Sequence, residues 1–512
     1  MMDNVDTMQQ RTDFFDRNPI WLKTCLLVMF LLAALIRRDE IKAPGHLIER
    51  EYNSAIFARA FYFEEIDGVE TWRKNNAIAT RETLPLLEPP LTEYLVSLIY
   101  RIVGREEIWY ARYLTGLFWL VGGLFMYKIT RMLMSVDAAL LAVGYYLFVP
   151  WGIVISRSFQ PDSLMMMMFL ISIYSILLYF ERPSWRKLIL TGTIIGITSL
   201  LRPLVLFAIF CAFIALSIYK KEPGTSLINR RFLVLFALSL AFPVVFYGYG
   251  IYIGKFLQGQ AALSFRPYLL ARWEFWLGWF NNGADVMGRA VLVIAMFGFF
   301  FLQRNIIRVL VIGLTVGYFL LGIFFTYHIH THPYYHIQFF LVIGICAASF
   351  FHAIGNPVKK VAGRNWWIPV IASVLFVLYF SYHDVQSTLY TPVFENPDLA
   401  RKIGVIVEHS PRTVFVAYHY GLPLEYYGEF SGLAWPVSID DPFYRRPGEH
   451  ELSVQERIDV LGFEPDYFVI TNFDLYQRKH QDLQKYLESG CSNRFKTTDY
   501  LIYSNCETLT RN

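Results

Sequence analysis

The side chains that could do chemistry in this chain are ionisable groups placed beside long apolar segments. A carboxylate in such a place can accept a proton from a hydroxyl, and a cation can stabilise a phosphate that leaves. Placing an ionisable side chain at the edge of the hydrocarbon region costs free energy, so such residues are usually retained for ion pairing or for function. Those that share one side of the apolar segments are Glu51, Glu88, Arg157, Asp162, Arg202, His328, His330, His332 and His336. The pattern predicts a site at one face of a membrane.

Each of these groups also has a structural interpretation. Arg157 and Asp162 flank a proline in a short turn, and an ion pair between them could fix that turn. Arg202 precedes a proline and could cap a helix while its guanidinium reaches the membrane edge. His328, His330 and His332 stand at alternate positions, which resembles metal ligands on an extended strand. Since no cysteine or carboxylate adjoins them, we favour contact between a headgroup or substrate and these histidines with their neighbouring tyrosines.

Long apolar segments must position these groups. The 512 residues are 55% hydrophobic, 17% aromatic and only 17% charged, which excludes an ordinary soluble enzyme. A membrane span needs about 20 apolar residues, and about eleven such runs are predicted, at roughly 20–36, 109–127, 137–155, 163–180, 188–201, 203–219, 232–252, 290–303, 309–327, 337–355 and 367–383. The sequence therefore predicts a polytopic α-helical membrane protein.

Basic residues indicate how these spans are oriented, because short cytoplasmic loops retain Lys and Arg. The alternate loops that hold them contain Lys128, Arg131, Arg182, Arg186, Lys187, Lys220, Lys221, Arg230, Arg231, Arg304, Arg308, Lys359, Lys360 and Arg364. This places the N-terminus in the cytoplasm and residues 384–512 outside, with a bacterial inner membrane as the simplest location. Arg37 and Arg38 oppose the rule, because they follow the first predicted span directly and would lie on the outer side. The net charge of +4 suits loops against anionic lipid and gives no support to a nucleic-acid partner.

Two outward regions are large enough to be more than connectors. In the first, 37–108, helices are predicted at 48–63 and 92–103, on either side of the proline-rich stretch 85–91. The tail 384–512 is predicted to be a separate extracytoplasmic α/β domain after a transmembrane domain of residues 1–383. Its predicted helices are near 397–409, 453–462 and 474–489, and its predicted strands near 413–418, 467–471 and 499–504. We expect this domain to support the transmembrane domain or to dock the acceptor.

Cysteine placement agrees with that topology. Cys491 and Cys506 both lie in the tail that is predicted to be exported. Disulfides form and persist in oxidising compartments outside the cytoplasm. The two residues are therefore a candidate disulfide, with a pair of free thiols as the alternative.

Several short motifs follow one another in a recognisable order. They are Glu88-Pro89-Pro90-Leu91, Gly104-x-x-Glu107 leading to Ala111-Arg112, Ser156-Arg157-x-x-x-Pro161-Asp162, Leu200-Leu201-Arg202-Pro203 and a turn rich in His and Tyr. This order resembles the family 39 branch of the GT-C glycosyltransferases, which includes protein O-mannosyltransferases and the lipid A aminoarabinose transferase. The resemblance covers about residues 20–350 and is strongest over 85–205.

The resemblance implies transfer of a sugar, with inversion, from a polyprenyl-phosphate carrier to a hydroxyl of a lipid, glycan or protein acceptor at the outer face of the membrane. In the family, an acid of the first loop is the base. Glu51, eight residues before Arg59, matches the second acid of the family's Asp-Glu…Ala-Arg pattern, with Glu49 as the alternative. Arg50 stands where the family has its first acid. Another branch has its acid six residues before the Arg, at the position of Asn53.

The resemblance also implies the donor site. Arg202 matches a basic position near the donor phosphate, and Glu88 and Asp162 match acidic positions that orient a loop, bind the sugar or act in catalysis. The further predicted contacts to the donor phosphate and sugar are Arg59, Arg157, His332, Tyr335 and His336. No cofactor is expected, and the activity is predicted to be independent of metal ions.

Other classes of membrane protein make different predictions. A transporter or lipid flippase would place charges near the centres of several spans and often has two related halves. Here the span centres are largely uncharged, and the unusual groups lie at one face. A structural scaffold gives no reason for so many polar groups at loop turns. The sequence therefore favours a membrane glycosyltransferase, with transport as the alternative.

Overall fold

The structure is a computed structural model of the chain, and it describes residues 14–39, 41–42, 48–221, 226, 228–259, 264–302, 305–362, 396–435 and 452–506, with isolated positions between 368 and 383. Contacts divide the chain into two compact units. The first unit contains Met1–His46, Leu86–Thr92 and Trp109–Thr391. The second contains Leu47–Pro85, Glu93–Ile108 and Pro392–Asn512. Most of the first outward region is thus grouped with the C-terminal residues, whereas the predicted division was a single boundary after residue 383.

The described residues are largely helical. In chain order the α-helices are α1 (Phe14–Arg17), α2 (Pro19–Arg38), α3 (Ile48–Glu65), α4 (Thr71–Thr83), α5 (Leu91–Val103), α6 (Ile108–Leu133), α7 (Val136–Phe148), α8 (Pro150–Ser156), α9 (Asp162–Glu181), α10 (Trp185–Leu201), α11 (Val205–Lys220), α12 (Arg230–Gly248), α13 (Trp273–Met287), α14 (Arg289–Gly298), α15 (Asn305–Phe324), α16 (Thr326–Thr331), α17 (Phe340–Ala362), α18 (Pro397–Ile406), α19 (Leu422–Gly428), α20 (Val454–Leu461), α21 (Phe473–Lys479) and α22 (Gln481–Gly490). A π-helix, Tyr249–Ile253, continues α12. Short 3-10 turns lie at Pro267–Ala271, Phe299–Phe301, Pro333–Phe339 and Tyr418–Gly421.

The first unit holds helices that are long and apolar enough to cross a membrane. Among the described residues there are five, or up to seven if each of two bent helix pairs forms one span. The pair α7 and α8 bends by 55°, and the pair formed by α13 with residues 289–301 bends by 93°. The predicted number of about eleven spans stays a prediction, since the run at 367–383 falls outside the continuously described residues. The chain is a multi-pass membrane protein.

Small residues bring α11 and α15 into close contact. A Cβ at Gly313 of α15 would lie 2.8 Å from the Cα of Ala212 in α11, and one at Gly317 would lie closer still to Ala208. Glycines spaced four residues apart allow helix backbones to approach in a membrane, where dispersion contacts replace the hydrophobic effect as a driving force. The contact also brings together the rings of Phe207 and Phe324, whose centroids are 5.4 Å apart.

Arg37, which opposes the charge rule, is an interior residue of the first unit. It is buried at the end of α2, and its guanidinium donates to Ser156 Oγ at 2.7 Å, to the carbonyl of Ala33 at 3.0 Å and to that of Leu147 at 3.1 Å. The charge rule concerns basic residues that loops hold against the cytoplasmic surface. A buried arginine that bonds to neighbouring helices carries no such information, so its presence does not argue against the orientation.

The second unit contains a five-stranded sheet. Its strands are β1 (Thr413–Val416), β2 (Gly432–Ala434), β3 (Tyr467–Ile470), β4 (Cys491–Lys496) and β5 (Leu501–Cys506), in the order β2-β1-β3-β5-β4. β1 is parallel to β2 and β3, while β5 is antiparallel to β3 and β4. Cys491 and Cys506 are paired positions of β4 and β5 and are joined by a disulfide.

Both faces of this sheet are covered, as the alternation along β1 requires. Val414 and Val416 enter one core with Leu483 and Leu487 of α22, whereas Phe415 enters the other core with residues of α18. Predicted strands coincide with β1, β3 and β5, whereas α19, β2 and β4 were not predicted. One helix was predicted where α21 and α22 are separate.

Candidate active site

Arg202 lies in a break between two helices, where local sequence stops the first one. Pro203 disfavours a helical conformation at the residue before it and lacks a backbone donor. Arg202 accordingly ends α10 with extended dihedral angles, φ −152° and ψ 109°. Its side chain is only 6% exposed. The sequence thus places a buried cation at the junction of two apolar helices.

Two carboxylates of the first unit share this cation. Asp162 Oδ2 is 3.0 Å from Arg202 Nη2, and Glu88 Oε1 is 3.6 Å from the same nitrogen. Asp162 is the first residue of α9, where the helix dipole favours a negative charge. The closer and more buried Asp162 is therefore the carboxylate that orients Arg202, while Glu88 is the looser partner.

Glu88 and Arg202 also line a mostly apolar cavity of about 410 Å³. Its apolar lining includes Leu204, Phe207, Leu257, Phe265 and Phe324, and its polar lining includes Glu88, Arg202, Tyr247, Ser264, His328 and Tyr335. Pockets of this kind bind ligands that are largely apolar, while a few polar groups fix the orientation. The cavity can accept a molecule with one anionic group and one hydrocarbon part.

The histidine-rich turn is helical, so its spacing, which resembles metal ligands on an extended strand, does not lie on a strand. Residues 326–331 form α16, and a 3-10 turn at 333–339 follows. Alternate spacing can also occur in a short helix between two long helices. His328 and His330 are buried, whereas His332 is partly exposed. Among the described residues, no group of three or more His, Cys, Asp or Glu side chains is arranged to hold a metal ion.

His328 is the histidine of this turn that lines the cavity. Its Nε2 lies 3.2 Å from Ser264 Oγ, and its ring stacks on Tyr335 with centroids 5.2 Å apart. Burial lowers the pKa of His328 to about 3, with a smaller contribution from the charges of His332 and Arg202. The ring is therefore neutral at physiological pH, and it can orient a polar ligand without adding positive charge.

The other predicted donor contacts of the first unit lie in different surroundings. His332 Nδ1 is 2.7 Å from Thr331 Oγ1, and its ring is 5.3 Å from that of His328. His336 is buried and bonds to the Tyr318 hydroxyl at 2.7 Å. Arg157 donates a hydrogen bond to the carbonyl of Asp39.

Glu51 and Arg59 belong to the second unit, where both lie on α3. Glu51 is fully buried, and Arg59 pairs with Glu106 at 2.7 Å. Glu49, the alternative base, is half-exposed, and its Oε1 lies 3.0 Å from Nδ1 of His419. The assignment of Glu51 as the base and of Arg59 as a donor contact stays a prediction.

Some residues of the cavity were not found by sequence reasoning. Ser264, Phe265 and Leu257 lie in a stretch without a motif, and the helix α13 that follows was not predicted at all. Arg266 was an available signal, as a cation between apolar segments. It is buried, and its backbone nitrogen donates to Thr326 Oγ1 at 2.8 Å, which ties this stretch to the histidine-rich turn.

Comparisons with known proteins agree with this geometry. Residues 87–247 match the family model described as dolichyl-phosphate-mannose-protein mannosyltransferase. No curated protein matches the chain by sequence. The matched residues include Glu88, Asp162 and Arg202, so the family's match and the ion-paired cluster coincide.

Solved structures share the fold across nearly the whole chain. ArnT from Cupriavidus metallidurans in the apo state is similar with a TM-score of 0.57 at 14% identity, over 96% of this chain and 99% of that one. The same protein bound to undecaprenyl phosphate has a TM-score of 0.52 at 13% identity, over 98% of this chain and 100% of that one. The archaeal oligosaccharyltransferase AglB from Archaeoglobus fulgidus, in complex with an inhibitory peptide and a dolichol-phosphate, has a TM-score of 0.55 at 12% identity. The match covers 98% of this chain and 75% of that one. The family match over residues 87–247 and the shared fold together support a GT-C fold of the family 39 type and indicate a glycosyltransferase.

Proposed function

We propose that the protein transfers a sugar from a polyprenyl-phosphate-linked donor to an acceptor hydroxyl at the outer face of a plasma membrane, with inversion at the anomeric carbon. The observation that carries the proposal is the position of the buried Arg202 in the lining of the mostly apolar cavity. A polyprenyl phosphate has the same two parts, an anionic group and a long hydrocarbon. ArnT bound to undecaprenyl phosphate and AglB in complex with a dolichol-phosphate have the same fold, which supports this donor class.

The charges around Arg202 suggest how a phosphate would enter. Two carboxylates face one guanidinium, so an additional anion must compete with one of them. Glu88 is the farther from Arg202 and the more exposed of the two carboxylates. We infer that the donor phosphate displaces Glu88 from Arg202 and that Asp162 keeps the guanidinium in place. Glu88 is then available to hydrogen-bond the hydroxyls of the sugar.

The proposed reaction is a direct displacement. The acceptor oxygen forms a bond to the anomeric carbon while the bond from that carbon to the phosphate oxygen breaks. Glu51 takes the proton of the acceptor hydroxyl, and Arg202 stabilises the negative charge that develops on the departing polyprenyl phosphate. The acceptor is a lipid, a glycan or a protein.

The proposed orientation has the N-terminus in the cytoplasm and the second unit outside. The distribution of Lys and Arg supports it, and so does the disulfide between Cys491 and Cys506, because disulfides persist in oxidising compartments. A bacterial inner membrane with the active site facing the periplasm satisfies both observations.

The lipids that copurify with the protein in mild detergent test the donor class. We expect mass spectrometry to find a polyprenyl phosphate, or its glycosylated form, with the wild-type chain and much less of it with Arg202→Ala. Arg308→Ala is the matched control, since Arg308 is exposed and bonds to the carbonyl of Leu302 at 2.8 Å. Equal amounts of polyprenyl phosphate in both variants and the wild type would contradict the assigned phosphate site. Bulk phospholipid alone in every sample would argue against the donor class.

The proposed chemistry needs no metal ion, because Arg202 supplies the positive charge at the leaving group. We expect the rate of transfer to be unchanged by a chelator such as EDTA in an assay with membranes that supply donor and acceptor. A loss of rate that an added divalent cation restores would disprove metal independence.

A further inference from the structure

Two residues on one face of α3 determine how this helix is rotated about its axis. Tyr52 and Arg59 are seven residues apart, so they lie on the same side of an α-helix. Both are buried, at 1% and 7% exposure. Glu51 precedes Tyr52 and therefore points about 100° away around the helix axis. Whatever holds Tyr52 and Arg59 thus also sets the direction of the Glu51 carboxylate.

The short helix α19, in the C-terminal part of the chain, contacts Tyr52. The Tyr52 ring lies 5.5 Å from the ring of Tyr426 and 5.6 Å from that of Tyr427. Its hydroxyl also donates to the Tyr427 hydroxyl at 3.1 Å. Aromatic pairs at such distances add stabilisation beyond the area that they bury. Tyr52 is therefore fixed by two neighbouring rings of one short helix.

Arg59 connects α3 to Glu106 and, as a second link, to α19, all within the second unit. Its Nε and Nη2 donate to Glu106 Oε1 at 2.9 and 2.7 Å, and its Nη1 donates to the carbonyl of Tyr426. The guanidinium also lies over the ring of Tyr426, 3.8 Å from its centroid. The planar fork of an arginine makes these contacts simultaneously, and a lysine cannot reproduce them.

Neighbouring contacts hold the other sides of the same helix. Ser54 donates to Glu93 Oε1 at 2.6 Å, and Glu49 lies 3.0 Å from His419. These two contacts restrain α3 near Glu51. Arg59 lies about two turns beyond Glu51, and it restrains the rotation of the helix there, while Lys74 and Arg81 contact Glu64 nearer the end of the helix.

We propose that Arg59 is a positioning residue, which acts through Tyr426 and Glu106 to aim the Glu51 carboxylate at the acceptor hydroxyl. This role differs from the donor contact that the sequence predicted for Arg59, and it rests on the proposed function of Glu51 as base. It gives the C-terminal part of the chain a part in catalysis, because α19 supplies both the ring and the carbonyl that hold Arg59. A displacement of about 1 Å at a reacting group can lower a rate about 10²-fold.

A double-mutant cycle tests this inference. Arg59→Lys and Glu51→Gln are made separately and together in the full-length chain, and the transfer rate is measured in membranes of a strain that lacks the protein. These membranes supply the natural donor and acceptor, and the product is the glycosylated species that the wild-type chain restores. Arg478→Lys is the matched control, since Arg478 is in the same unit, is 78% exposed, and pairs with Asp474 on its own helix.

We expect Arg59→Lys to lower the rate about 10–100-fold in the wild-type background and to have almost no effect in the Glu51→Gln background. The polyprenyl phosphate bound to purified Arg59→Lys and its thermal unfolding midpoint should stay near those of Arg478→Lys. Glu106→Gln, which weakens the same contact from the other side, should show the same dependence on Glu51 and serves if Arg59→Lys does not fold.

Three results would overturn the inference. They are a rate of Arg59→Lys equal to the wild type, an equal loss in both backgrounds, and a loss of bound polyprenyl phosphate, which would instead indicate donor contact. A wild-type rate for Glu51→Gln alone would be a different failure. It would remove Glu51 as the proposed base, and the positioning role would fall with it.

Discussion

Replacing Glu51 by Gln is expected to lower the rate of sugar transfer by about 10²–10⁴-fold, the range that a general base contributes. The amide has nearly the same shape as the carboxylate and can still accept a hydrogen bond, but it cannot take up the acceptor's proton. The substitution should therefore leave the fold and the bound polyprenyl phosphate unchanged. Initial rates in membranes that lack the native protein, together with mass spectrometry of the purified variant, measure the two quantities separately.

Glu49→Gln is the matched control for this experiment, because Glu49 is the alternative base and lies on the same turn of α3. Its carboxylate is half-exposed and pairs with His419, whereas Glu51 is fully buried. We expect Glu49→Gln to transfer sugar at a rate within a few-fold of the wild type, as surface substitutions usually have small effects. A large loss of rate with Glu49→Gln and a normal rate with Glu51→Gln would make Glu49 the base in place of Glu51.

The position of Arg202 could be predicted from sequence, but its partners could not. A proline after an arginine ends a helix through local geometry, and the structure has this break. The pairing with Asp162 joins residues 40 positions apart and depends on how α9 and α10 pack. The motifs that resemble the glycosyltransferase family brought both residues into the candidate site without indicating that they contact each other.

Arg59 shows where the motif was insufficient. Its spacing from Glu51 placed both residues on one helix, and α3 is that helix. The carbonyl that Arg59 contacts belongs to Tyr426, 367 positions further along the chain. Neither hydrophobic periodicity nor the motif contains information about this partner, because α19 is too short to give a periodic signal.

Arg202→Lys is expected to lower the transfer rate by about 10²–10³-fold, the loss that follows removal of one preorganised donor to a developing oxyanion. Lysine keeps the positive charge, but its ammonium group cannot face Asp162 and a phosphate with separate N–H groups as a guanidinium can. The variant should therefore still bind some polyprenyl phosphate, in contrast to Arg202→Ala, while turnover falls. Rate and bound lipid must be measured on the same preparations.

Folding is the main confounding effect when Arg202 is replaced by an uncharged residue, because removing the cation takes away the buried partner that Asp162 has in the wild-type chain. Breaking a buried pair from one side costs about 3–5 kcal/mol. The double variant Arg202→Gln and Asp162→Asn removes both charges, so we expect its unfolding midpoint to recover toward the wild type while its transfer rate stays low. If the double variant transferred sugar at the wild-type rate, Arg202 would be a structural cation that holds α9 and α10 together. If its stability recovered and its rate did not, the positive charge itself would be required at the leaving phosphate, as the proposed reaction demands.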